Sequence, residues 1–253
     1  MTCLYIGPVA IAVTGSFRHS VDWQTFGPFL NPRVVQHRIE LCFVDEDSIF
    51  QSESMFAYRR HDFTFHYDGD VAYAHADDIL AAFLACLELS LHVAVREMGG
   101  LLIHASCGVL DGVGWLMPGP SGTGKTTASY GGFERILSDE RVILMPDDAG
   151  YTLWGTPFWS DGRDRPLAVN SAPLGGVIRL IQAEKASGSR SDRIEMVVWL
   201  MRSVVVYGDQ LNSASELLEL VTDVVSRVEC MSVSFPKEGS WAPLMLSQIG
   251  QAS

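Results

Sequence analysis

Gly119-Pro120-Ser121-Gly122-Thr123-Gly124-Lys125-Thr126 satisfies the spacing G-x-x-x-x-G-K-[ST], and the apolar run Gly114-Trp115-Leu116-Met117 leads into it. Strand, glycine-rich loop and helix in that order predict a P-loop, a cradle for a polyphosphate. Such an anion is held by several backbone N–H groups at once, and glycine lets the chain curl closely enough around it. The expected contacts are Gly119, Pro120, Ser121, Gly122, Thr123, Gly124, Lys125, Thr126 and Thr127. Lys125 supplies a point charge to the outer phosphates and Thr126 a hydroxyl to Mg²⁺, while the helix that starts here turns its positive end toward the anion.

Upstream lie Leu101-Leu102-Ile103-His104-Ala105-Ser106-Cys107-Gly108-Val109-Leu110 and then Asp111-Gly112. Asp-Gly between two apolar runs predicts a hairpin. The strand before the P-loop strand should therefore run antiparallel to it, unlike the parallel crossover units usual around such loops. A two-residue turn sets His104 opposite Gly119 and a four-residue turn sets it opposite Ser121, so either register brings the imidazole to the phosphate site. Downstream, a helix is expected over 126–133 and a strand over 141–145. Asp139 and Glu140 stand at the entrance to that strand, fourteen and fifteen residues after Lys125. Phosphoryl transfer needs a carboxylate for Mg²⁺ and a group that orients or deprotonates the attacking hydroxyl. Adjacent residues at a strand entrance point to different sides, so one acid can hold metal while its neighbour faces an acceptor.

The run His104…Gly119–Thr126…Ser138-Asp139-Glu140-Arg141-Val142 resembles the catalytic domain of HPr kinase/phosphorylase. Its looser kin include the kinases that modify precursor peptides in lasso-peptide gene clusters, and it shares its fold with ATP-dependent phosphoenolpyruvate carboxykinase. In that family a histidine about twenty residues before the loop lysine, the loop itself and an Asp-Asp-Arg-Val segment surround the transferred phosphate. Gly155-Thr156-Pro157 and Ala172-Pro173-Leu174-Gly175-Gly176-Val177-Ile178 also resemble segments of the peptide-modifying branch. The resemblance covers roughly residues 78–182. Two departures stand out: Asp139-Glu140 replaces paired aspartates, and Thr127 stands where the family usually has a glutamate. The family's glycine-rich segment tied to dephosphorylation has no counterpart, so the phosphorylase reaction is not carried over.

The resemblance and the spacing together assign Thr126 and Asp139 to Mg²⁺ and Lys125 to the phosphates of ATP. Glu140 is the first choice to accept the acceptor's proton, with exchange of roles between the two acids left open. His104 then orients that carboxylate or touches the γ-phosphate. Arg141, with Arg163 and Arg165, supplies further positive charge, although Asp161 and Asp164 explain the last two as local ion pairs equally well. Trp154, Phe158 and Trp159 line a peptide groove or fill the core, the core being the commoner fate.

The chain has 253 residues, 47% hydrophobic and 19% charged, as a folded globular protein does, and a formal charge of −12. With 18 basic residues against 30 carboxylates and no basic run, a nucleic-acid partner is excluded on charge. Five widely spaced cysteines give neither a disulfide ladder nor zinc-ligand pairs, and they read as reduced thiols of a cytoplasmic protein. Residues 79–95 are the most apolar stretch, but Glu88 and His92 interrupt it, and Asp77-Asp78 and Gly99-Gly100 flank it as helix caps. A soluble helix rather than a membrane span is expected, and the start of the sequence lacks a signal-peptide pattern.

Strands are expected at 9–13 and 34–44, with a hairpin of 63–67 and 71–74 around Asp68-Gly69. His61 and His66, five apart, would face opposite sides of one strand. Beyond the loop the reading gives strands at 151–154, 177–181 and 230–235, a polar surface loop at 185–191, and helices over 194–206 and 216–228. Ser213-Ala214-Ser215-Glu216 forms a capping box before the second helix. The expectation is an α/β protein: a small β-rich N-terminal region, 1–76, and a P-loop kinase domain with a mixed sheet, 77–253. Its activity would be Mg²⁺-dependent transfer of the γ-phosphate of ATP to a hydroxyl, with a serine of a peptide or small protein expected as acceptor. A nucleotide-binding regulator without transfer and a kinase of free serine or a similar small molecule are the alternatives. Association into a homo-oligomer stays open. No Asn-Lys-x-Asp motif of GTPases or Leu-Ser-Gly-Gly-Gln signature of transport ATPases is present.

Overall fold

The fold is α/β with mixed sheets and is mostly strand. A computed structural model of the chain describes residues 1–15, 21–49, 55–77, 80–129, 131–158, 170–208, 211 and 213–243. The chain divides into two compact units, Met1–Gly100 with Val206–Ser213, and Leu101–Val205 with Ala214–Ser253. The boundary thus falls after Gly100 and not after residue 76. The reason is the long helix 80–97, which packs on strands of the first unit.

The first unit contains β1 (Thr2–Ile6), β2 (Val9–Gly15), β3 (His37–Phe43), the short α1 (Glu46–Ile49), β4 (Phe56–Arg60), β5 (Phe63–Tyr67), β6 (Val71–Ala76) and α2 (Leu80–Glu97). Its six strands lie in the order β1-β2-β3-β6-β5-β4. The Asp68-Gly69 hairpin pairs Tyr67 with Ala72 and Phe63 with Ala76. His61 lies in the turn between β4 and β5, so the strand that carries His66 begins only after it, at Phe63. Phe83 of α2 stacks on Phe43 at 5.7 Å, anchoring the helix to the sheet. Two bonds close α2: the Gly99 amide donates to Arg96 O, and the Gly100 amide to Val95 O. With Gly99 at φ 75°, this is the Schellman pattern that stops a helix at glycine. No helix among the described residues is long and apolar enough to cross a membrane.

The second unit contains β7 (Leu101–Leu110), β8 (Val113–Pro118), α3 (Lys125–Ser129), β9 (Arg135–Ser138), β10 (Arg141–Asp147), β11 (Gly150–Gly155), β12 (Ser171–Gln182), β13 (Ser187–Arg190), α4 (Arg193–Met201), α5 (Ala214–Arg227) and β14 (Glu229–Phe235). Its sheet runs β11-β10-β7-β8-β12-β14-β13, with β9 beside β7 and a further pairing of β11 to β12. Asp111 and Gly112 have φ of 52° and 74°, the two left-handed residues that a tight hairpin turn demands. The turn pairs Leu110 with Val113 and Ala105 with Pro118, antiparallel, while β12 lies parallel to β8 and to β14.

Alternate residues of the central strands feed two cores. Leu116 and Val177 join Ile103, Val142, Leu200 and Val221, whereas Met117 and Ile178 join Ala128, Val233, Phe235 and Trp241. Both faces of the parallel strands are therefore covered, which explains why they read as continuous apolar runs. Several elements differ from expectation, among them β9, which the sequence reading did not contain, and β12, which is longer than 177–181. Helix α3 ends at Ser129, before Gly131-Gly132, where the Gly131 amide donates to Ala128 O and the Trp241 indole crowds Gly131. The polar stretch 185–191 contains an exposed edge strand, β13, paired to β14. Helix α4, capped by the Asp192 carboxylate on the Ile194 and Glu195 amides, ends at Met201 because the chain next pairs with β7: the Val205 amide donates to Leu102 O.

Candidate phosphate-binding site

The loop from Gly119 to Thr126 joins the end of β8 to α3. Gly124, at φ 90°, holds a conformation that side chains rarely adopt, and a Cβ there would lie 2.7 Å from the Phe235 ring. Lys125 is only 6% exposed. Its Nζ donates to Gly119 O at 2.8 Å and Pro120 O at 3.1 Å, so the ammonium sits inside the loop's own curl. Burial lowers its pKa, the Glu140 carboxylate acting against that, Arg141 with it and Asp139 against it. The Lys125 carbonyl accepts from Ser129 Oγ at 2.9 Å and from Ser106 Oγ of β7 at 3.3 Å, which ties the start of α3 to the hairpin.

The hairpin register brings the β7 histidine to the same place. The Gly119 amide approaches His104 O at 3.5 Å, and His104 pairs in register with Arg141 of β10. The two acids between β9 and β10 part company. Asp139 is wholly buried, its Oδ2 accepting from the Thr126 hydroxyl at 3.5 Å. Glu140 turns the other way and is 28% exposed, with Oε1 at 2.8 Å from an Arg141 guanidinium nitrogen and 3.4 Å from His104 Nε2. His104 first, and then Arg141, hold the Glu140 carboxyl down to about 2 although burial pulls the other way.

One cavity of about 390 Å³ is lined by His104, Lys125, Thr126, Asp139 and Glu140 together with loop residues 121, 122, 124 and 127 and Gln182. Gln182 was not anticipated. Its Nε2 donates to Gly122 O at 2.8 Å from the end of β12, and no local signal marks a residue that far along the chain. Gly119, Pro120 and Thr123, also expected as contacts, do not line this cavity; the Thr123 hydroxyl instead donates to Pro120 O at 2.9 Å within the loop. Phe158 is buried, with its carbonyl accepting from Ser138 Oγ, and Trp154 is half-buried. Trp159, Asp161, Arg163, Asp164 and Arg165 lie outside the described residues.

The donor set suits a nucleotide with Mg²⁺. Among the described residues no cluster of three or more His, Cys, Asp or Glu side chains could hold a metal alone. Mg²⁺, however, is usually held by one or two carboxylates, waters and substrate phosphates, and Asp139 beside the Thr126 hydroxyl offers that partial set.

Glu140 makes acid stability a test of the geometry. Its folded pKa lies below the ordinary 4.5, so its ionised form contributes stability that is full above that value and is lost as pH falls through about 2. Glu140→Gln should lower stability at neutral pH by about 1–3 kcal/mol. It should also flatten the fall of Tm from pH 4.5 down toward 2. Thermal melts across that range check this, and equal acid slopes for the two proteins would contradict the ion pair.

Compared with known proteins, the chain matches no protein-family model and no curated protein.

Proposed function

We propose that this chain is a P-loop phosphotransferase of the HPr kinase/phosphoenolpyruvate carboxykinase type that moves the γ-phosphate of ATP to a hydroxyl, with a serine of a peptide or small protein as acceptor. The observation that carries the reading is that a single cavity collects the loop lysine, a buried carboxylate beside the loop threonine, and a carboxylate–imidazole pair. Backbone amides 121–126 and Lys125 would hold the phosphates, and Thr126 with Asp139 would hold Mg²⁺, whose charge offsets that of the phosphates. Lys125 would add fixed positive charge where the transferred group becomes more negative, whereas Arg141, paired to Glu140 at 2.8 Å, stands behind that carboxylate and does not line the cavity. Transfer of this kind is mainly positioning and charge stabilisation, so no covalent enzyme intermediate is required.

The proton acceptor needs one adjustment. A carboxylate held near 2 is a weak base, so Glu140 serves better to orient His104, 3.4 Å away, than to take the proton itself. The same ion pair also favours a second reading, a nucleotide-binding regulator without transfer, because Arg141 occupies Glu140 at 2.8 Å. An assay with γ-labelled ATP, Mg²⁺ and three acceptors (serine-containing peptides encoded beside this gene, free serine, or none) decides between them. Label on a peptide serine supports the proposal and label on free serine a small-molecule kinase. ATP binding with label on neither leaves the regulator.

A further inference from the structure

A second cavity, of about 570 Å³, opens next to the phosphate site where β12 and β14 end. It shares Gly124, Thr127 and Gln182 with the first cavity but includes none of His104, Asp139 or Glu140. Because β8, β12 and β14 are parallel neighbours, both cavities lie at the carboxyl ends of their strands, where sheets of this kind take their ligands. The wall then continues through Ala183 and Glu184 after β12, and through Phe235 and the segment bearing Lys237 and Glu238 after β14.

We infer that this second cavity holds the base and sugar of the nucleotide whose phosphates lie in the loop, an inference that rests on the nucleotide-binding reading above. Two observations support it. Glu184 and Glu238 outnumber Lys237 in the wall, so the cavity disfavours a phosphate and suits an uncharged group, while the Phe235 ring, pressed against Gly124, gives it an apolar floor. Direction agrees: if the terminal phosphate faces the Glu140–His104 pair, the rest of the nucleotide must leave by the opposite side, past Gly124, Thr127 and Gln182. Gln182, bonded to Gly122 O, stands at the junction of the two spaces.

Ala183→Trp tests the assignment. Ala183 is exposed, and its amide bond to Phe235 O at 3.0 Å is made by the backbone and survives substitution, whereas an indole there would fill the cavity. Calorimetric titration of both proteins with Mg·ATP and with Mg·tripolyphosphate, which lacks base and sugar, gives the readout. The wild type should bind ATP at least about tenfold more tightly than tripolyphosphate, and the variant should bind the two within about threefold of each other with its tripolyphosphate affinity unchanged. Equal affinities in the wild type, a retained preference in the variant, or equal weakening of both ligands overturns the nucleoside cavity and leaves the phosphate loop standing. Binding of neither ligand by the wild type overturns the loop reading as well.

Discussion

Lys125→Ala should reduce phosphoryl transfer by at least about a thousandfold while leaving the protein folded. The side chain is buried in the curl of the loop and donates to two of its carbonyls, at 2.8 and 3.1 Å. It thus holds a cation within the loop where a polyphosphate would lie. Alanine removes that charge together with the two bonds that shape the loop, so nucleotide affinity should fall along with turnover. Circular dichroism and a thermal melt establish that the fold persists, and a labelled-ATP assay measures the loss. Turnover close to that of the wild type in a folded variant would remove the loop lysine, and with it the proposed site, from consideration.

Asp139→Asn should cost at least about a hundredfold in turnover with the nucleotide still bound. The change is nearly isosteric and keeps an oxygen near the Thr126 hydroxyl, which lies 3.5 Å from the carboxylate. What it removes is the negative charge that Mg²⁺ requires. The loss should therefore show as a raised Mg²⁺ requirement, partly relieved by excess metal, with little change in metal-free ATP affinity. Equal Mg²⁺ dependence in the two proteins would assign Asp139 a purely structural role.

Much of the site was legible before the fold. The P-loop is a local motif, and the Asp111-Gly112 turn fixes its own register because two consecutive left-handed residues admit a tight hairpin. That register alone brings His104 to the loop. The adjacency of Asp139 and Glu140 implied two directions, and these lead to Thr126 and to His104 with Arg141. The acidity of Glu140 was not legible, since it depends on an imidazole from another strand. Nor was the attachment of α2 to the first unit: its apolar sequence says that it is buried but not against which strands. The polar β13 carried no apolar alternation, and its backbone pairing to β14 is what makes it a strand.

By itself the sequence determined what is set by near neighbours: a glycine-rich loop between a strand and a helix, a turn that reverses the chain, and a helix stopped by Gly99-Gly100. Only the tertiary structure decided which distant groups share a wall with that loop, such as Gln182 at the end of β12 and Phe235 at the end of β14. The physical reason is that local conformation follows from backbone sterics and nearby hydrogen bonds. Strand register, and the electrostatics it creates, are fixed when remote apolar faces are buried together.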